Sequence, residues 1–242
     1  MTWRDALAPL RNRNFAWYYG SRFSDTLGTM MAGLALTFAV LDITDSATAL
    51  GQVLAAHTIP LVVFLLLGGV IADRVPRTLL LQTSNVAAGV TQAVLATLVI
   101  TDRAELWMVI VLAGLNGTVD AMSFPAQASM VPQLVERGQL QSANALMSMS
   151  RAALSIVAPS LAALLVVTVG PGWALAVNAG TWLLSSALLM PVQVPPLVGA
   201  EERTSTLADL REGWALFTGT TWLWVVVLAF SVLNAIHSGA WF

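Results

Sequence analysis

The sequence has no cysteine and no lysine, and only 10% of its 242 residues are charged. Without cysteine there is no disulfide framework, no thiolate metal site and no thiol nucleophile. The motifs HExxH, GxxxxGK[ST] and GxSxG are absent as well, which removes the standard hydrolase and nucleotide-binding signatures. The shortage of charge excludes a soluble domain. Soluble domains are roughly 45–50% apolar and about 25% charged, whereas this chain is 57% hydrophobic. Such a chain cannot cover itself with a water-compatible surface, so it is read as an integral membrane protein in contact with a lipid bilayer. No metal, cofactor or nucleic-acid partner is expected. The net charge of −2 is uninformative, because what matters is where the charges lie.

What is present is a series of uncharged runs. None of Asp, Glu, Lys or Arg occurs from Ser46 to Ala72, from Thr78 to Thr101, or from Gly213 to Phe242. The run from Ala152 to Ala200 is too long for one helix, and Gly170-Pro171-Gly172 cuts it with a turn. These runs are helical because lipid leaves no backbone group a partner outside the segment. A β-barrel would show short alternating segments, and Leu61 to Ile71 does not alternate. With about 20 residues per crossing, seven spans are expected: 15–41, 47–71, 78–100, 106–129, 140–169, 173–192 and 222–242. The first 14 residues are polar and the first apolar segment is too long for a signal-peptide core.

Arginine placement sets the orientation. The side holding the N-terminus carries Arg4, Arg11, Arg13, Arg74, Arg77, Arg137, Arg203 and Arg211, and the other side carries only Arg103 beside Asp42, Asp45, Asp102 and Glu105. That places the N-terminus in the cytoplasm. Trp17, Tyr18, Tyr19, Trp107, Trp173 and Trp222 stand at span entrances and fit an interfacial aromatic belt. Between Pro195 and Thr221, Leu207, Leu210, Trp214 and Phe217 recur at helical spacing. They read as an amphipathic surface helix, with a loosely ordered linker as the alternative. A faint repeat is also visible: Ser46-Ala47-Thr48-Ala49-Leu50 and Ser142-Ala143-Asn144-Ala145-Leu146 lie 96 apart, and Asn85 and Asn178 lie 93 apart. An offset of three spans inverts the topology, as in transporter repeats.

Four ionisable residues fall inside spans: Arg22 and Asp25 in the first, Asp120 in the fourth and Arg151 in the fifth, all on the cytoplasmic half by this orientation. Each costs at least about 2.5–3.5 kcal/mol at the bilayer centre, so each must face protein or water and pair. Arg22 and Asp25 share a helix face at i,i+3. Two readings stand: the four line a cavity and handle substrate or protons, or they form an ion-pair network that only fixes packing. His57, three residues before Pro60, reads as a hydrogen-bonded packing histidine, with a proton relay as the alternative.

The most specific signal lies between spans two and three: Gly69, then Asp73 and Arg74, then Arg77. Gly69 permits close helix approach, and Asp73 is suited to cap a neighbouring helix N-terminus. This loop resembles the signature loop of the major facilitator superfamily, with Pro76 in place of its second glycine and Thr78 in place of its last basic residue. Phe38-Ala39-Val40-Leu41, Phe124-Pro125-Ala126, Leu140 to Leu146 and Asp209 to Trp214 are similar to segments of the bacterial exporter branch, which includes enterobactin-exporter-like and drug-efflux members. The resemblance covers the whole chain. It implies an all-α fold: an N-terminal six-helix bundle built from two inverted three-helix repeats, a linker and a seventh helix. The corresponding divisions are 1–194, 195–221 and 222–242.

The resemblance further implies a central cavity between two six-helix halves, alternating access, and proton antiport for exporters. It makes Gly69, Asp73, Arg74 and Arg77 gating residues, pairs Arg77 with Asp120 as an intracellular latch, and so leaves Asp25 as the better proton carrier. The family's fifth-span signature of glycines around a proline has its counterpart in Ser155, Ala158-Pro159 and Ala162-Ala163. The proline and small residues keep the bend and close packing. Ala113 stands where a fourth-span basic residue is often found in proton-coupled members, with Arg151 as a possible substitute. The expected function is therefore proton-coupled efflux of small amphipathic molecules such as drugs or siderophores across the bacterial cell membrane, and not enzymatic catalysis. Uptake of a small nutrient by the same fold is the alternative; a passive membrane scaffold or an intramembrane enzyme is a third reading, and an enzyme would need a nucleophile–base pair in one cavity, which is not evident. Five helices of such a carrier follow the seventh, so the chain is read as truncated, with the C-terminal half as its missing partner.

Overall fold

A computed structural model describes residues 7–194 together with 218–221 and 225, except the side chains of 66–74. The chain divides into two compact units, 1–195 and 196–242. The expected amphipathic helix and seventh span lie outside the described residues.

The described part of the first unit is helical throughout. Six helices are long and apolar enough to cross a membrane: α1 (Arg13–Thr44), α2 (Ala47–Arg74), α3 (Arg77–Ile100), α4 (Leu106–Leu134), α5 (Leu140–Val169) and α6 (Pro171–Leu189). The first six expected spans coincide with them, but several ends move. α1 starts earlier because the Asn12 side chain accepts hydrogen bonds from the amides of Asn14 and Phe15 at 3.0 and 3.3 Å, satisfying otherwise orphaned donors. α4 continues past the expected Ser129 to Leu134. α6 begins at Pro171, where a missing N–H does no harm, and ends at Leu189. The turns after α1 and α3 close on Asp45 and Asp102 with φ of 48° and 53°, a left-handed conformation that Asp tolerates better than most side chains.

The helices pack with an internal two-fold pattern. α2 lies against α4 as α5 lies against α1; α1 lies against α6 as α4 lies against α3; and α3 and α6 pack on each other. Exchanging the first three helices for the last three reproduces the arrangement, as the weak sequence repeat anticipates. Asn85 on α3 and Asn178 on α6 are both buried at that α3/α6 centre.

The interior is layered. One apolar cluster, with Phe15, Tyr18, Leu81, Met130 and Leu189, gathers toward the N-terminal face. A second, with Val40, Val53, Leu95, Val109 and Leu175, gathers toward the opposite face. Buried polar residues lie between them on α1, α3, α4 and α6: Ser21, Ser24, Asn85, Gln92, Asn116, Ser185 and Ser186 among others. Ser185 accepts from Asn85 at 2.9 Å and meets Ser21 at 2.7 Å, while Ser24 donates to the Thr181 carbonyl at 2.9 Å. Between helices in lipid, where tails are as apolar as leucine, such bonds and small-residue contacts hold the bundle together.

The aromatic belt is corrected by this packing. Trp17, Trp107 and Trp173 are exposed, but Tyr18 is buried. Its hydroxyl donates to the Gln127 carbonyl at 3.3 Å. Tyr19 reaches Ser150 on α5 at 2.5 Å, and the Ser150 hydroxyl donates a hydrogen bond to the Leu146 carbonyl. Both phenols serve helix contacts because α1 turns that face inward.

Candidate functional site

The intramembrane charges meet in two pairs. On α1, Arg22 donates to Asp25 within one helix turn, and the two side chains are only 22% and 13% exposed. On the other pair of helices, His57 Nε2 of α2 lies 3.1 Å from Asp120 Oδ2 of α4. That pair is open: the side chains are 36% and 40% exposed. Asp25 and Asp120 are close enough for their charges to act on one another.

Backbone geometry positions the second pair. Gly117, one turn before Asp120, sits so near α2 that a Cβ there would run into the carbonyl of His57. Gly114, a turn earlier, would bring a Cβ within 3.4 Å of the Ala56 carbonyl. Pro60 lies inside α2, and its missing N–H frees that carbonyl from its helical partner. Two glycines and a proline thus let the backbones of α2 and α4 touch at the depth where the imidazole reaches the carboxylate.

This arrangement overturns one expectation. Asp120 pairs with His57 and not with Arg77. Arg77 opens α3 at the N-terminal face, whereas Asp120 lies near the middle of α4, about 20 Å along the axis from Leu134 at a rise of 1.5 Å per residue. No arginine side chain bridges that span. The extension of α4 to Leu134 also moves Asp120 from the C-terminal half of its helix to its centre. His57 has a hydrogen-bonding partner in Asp120, as its packing reading expects, and the pair is half-exposed. Its partner was invisible in the sequence because 63 residues separate the two; the signals that could have found it are Pro60 beside it and Gly114 and Gly117 beside Asp120.

Arg151 stands on α5 in a small cleft against α1, lined by Tyr19, Arg22, Phe23, Thr26, Ser150 and Leu154 among others. Pro159 lies inside α5 between Ala158 and Ala162, and these two alanines are buried against Met31 of α1. The small residues there do permit close packing. The side chains of Gly69, Asp73 and Arg74 lie outside the described residues. Among the described residues no group of His, Asp and Glu could hold a metal ion. A cavity of about 400 Å³ opens at the opposite face, lined by Asp42, Ile43, Ile100, Asp102 and Trp173 among others. It contains none of the intramembrane charges.

The residues on α1, α2, α4 and α5 therefore place charge at mid-helix depth, with the His57–Asp120 pair half-exposed and the Arg22–Asp25 pair largely covered. A family model described as Major Facilitator Superfamily matches residues 19–242. The chain is 22% identical over 242 residues to "Uncharacterized MFS-type transporter YkuC" of Bacillus subtilis (strain 168), covering 95% of this chain and 55% of that protein. It is 23% identical over 198 residues to "Uncharacterized MFS-type transporter YfiS" of the same organism, covering 80% and 46%. The chain spans about half the length of these curated relatives.

Proposed function

We propose, because this chain belongs to the Major Facilitator Superfamily, that it forms the N-terminal half of an alternating-access carrier that expels small amphipathic molecules in exchange for protons. Membership makes it a multi-pass membrane protein of a transporter family. Direction, coupling and substrate class are the proposed part, as are the cytoplasmic N-terminus and the bacterial cell membrane. The eight-to-one arginine asymmetry supports that orientation.

One observation carries the reading. Asp120, at the middle of a helix otherwise free of charge, leaves 40% of its side chain uncovered. Facing lipid it would cost at least about 2.5–3.5 kcal/mol. Facing a water-filled cavity closed by a second bundle, it costs far less and is available to solute. Arg22, Asp25 and Arg151 border the same kind of surface on α1 and α5, and Pro159 with its small neighbours supplies the bend and close packing of α5. Arg77, with Gly69, Asp73 and Arg74, forms the gating turn of this reading.

The test uses the protein expressed from its complete reading frame, in inverted membrane vesicles with an imposed proton gradient and ethidium as the probe. Wild type should accumulate ethidium inside the vesicles, and Asp25→Asn should abolish this at unchanged expression. Full transport by Asp25→Asn would remove Asp25 from coupling. Gradient-driven movement of solute in the opposite direction would replace efflux by uptake.

A further inference from the structure

We propose that His57 and Asp120 form a proton-binding site, the counterpart across the internal repeat of the Arg22–Asp25 pair on α1. The inference rests on the carrier reading and adds which side chains hold the proton.

The internal repeat relates the two sets of charges. Asp25 and Asp120 are 95 residues apart, and His57 and Arg151 are 94 apart. These offsets match those of Asn85 and Asn178 and of the two Ser-Ala segments, 93 and 96. Each repeat therefore carries an acid on its first helix and a base on its second. The packing brings each first helix against the second helix of the other repeat, α1 on α5 and α4 on α2. The two bases differ in chemistry. An arginine cannot be deprotonated in a protein, so Arg151 and its neighbour Arg22 stay charged. An imidazole changes charge between about pH 5 and 8.

The geometry suits reversible protonation. A proton from water adds to the free ring nitrogen of neutral His57, and Nε2–H then donates as part of an imidazolium to the Asp120 carboxylate 3.1 Å away. The pair passes from one negative charge to none, and returning the proton to water restores it. Both side chains are more than a third exposed, so water can deliver the proton. The other titratable or charged groups on the helices packed around the pair are few. α1 brings Tyr18, Tyr19, Arg22 and Asp25, with Arg13 and Asp42 near its ends, α5 brings Arg151, and α3 brings none after Arg77. Asp25 is itself paired with Arg22. Removing the proton from His57 leaves Asp120 as an uncompensated mid-helix carboxylate, which favours whichever state of the carrier opens it to water.

The test follows protonation directly. In the complete protein in nanodiscs, with His and Asp isotopically labelled and His237→Gln to simplify assignment, the His57 ring and Asp120 carboxyl signals should move together in one transition as the pH is varied. His57→Gln should remove the Asp120 transition, and Asp120→Glu should keep a shared one. A His57 transition that leaves Asp120 unmoved, or no transition in either, overturns the proposal. In the ethidium assay, His57→Gln should lose proton-driven accumulation. If His57→Gln transports at the wild-type rate while Asp25→Asn does not, this site falls and the carrier stands. If the shared transition is present but wild type moves nothing under a proton gradient, the pair stands and the carrier reading falls.

Discussion

Gly117 of α4 lies against the backbone carbonyl of His57 on α2, with no room between them for a single methyl group. This contact sets how closely the two helices approach, and with it the reach from His57 to Asp120. Replacing Gly117 by Val should force the backbones apart and destabilise the protein by about 1–3 kcal/mol or more. Gly33→Ala on α1, where a Cβ meets nothing within 4 Å, should be neutral or stabilising by about 0.4–1 kcal/mol. Thermal unfolding in detergent, followed by tryptophan fluorescence, compares the two. Equal melting temperatures would mean that α2 and α4 are not in close contact.

The Arg22–Asp25 pair is largely covered, so removing either partner strands the other. Arg22→Gln and Asp25→Asn should each lower stability by up to about 3–5 kcal/mol, and the double variant should recover much of the loss. The same unfolding measurement closes the cycle. Additive losses would show that the two side chains do not interact.

Asn85 and Asn178 occupy equivalent places in the two repeats but differ in their bonds. Asn85 donates to Ser185. The Asn178 side-chain amide is buried with no hydrogen-bond partner among the described residues. Asn85→Leu should therefore cost about 1–3 kcal/mol, whereas Asn178→Leu should be close to neutral or stabilising. A larger loss at Asn178 would reveal a bond that the helix contacts do not supply.

The absence of native cysteine makes orientation directly measurable. Thr101 in the α3–α4 turn and Gly138 before α5 are both exposed. In intact cells a membrane-impermeant maleimide should modify Thr101→Cys and should reach Gly138→Cys only after the membrane is broken. The reverse pattern would place the N-terminus outside.

Much of the fold was legible in the residues because lipid imposes a simple rule. An uncharged run of sufficient length becomes a helix, and charge or Gly-Pro-Gly ends it. That rule found the first six helices, and the Asn85/Asn178 spacing pointed to their internal two-fold. Helix ends were less legible, since they depend on caps such as Asn12 and on how far α4 runs past Ser129. Tyr18 and Tyr19 were misplaced in the interfacial belt for a related reason. Their positions near the start of α1 suit either an interface or an interior, and only the neighbours α4 and α5 decide which.

At the site, composition alone identified Arg22, Asp25, Asp120 and Arg151, because a charge within a long apolar run is conspicuous. Their partners were a different matter. Arg22 and Asp25 share one helix, so i,i+3 spacing sufficed. The partner of Asp120 could not be read in that way. Arg77 has the right charge but stands at a helix end, and His57 carries no obligatory charge to draw attention to it.

What the linear chain determined, then, was chemistry and depth: how many times it can enter an apolar phase, and which side chains ride along. What tertiary structure decided was adjacency. Depth follows from a fixed rise per residue within one helix, but contact between helices depends on which faces turn toward each other. Here that choice was made by small residues, Gly114 and Gly117 beside a proline-interrupted backbone, whose effect exists only once two distant segments have met.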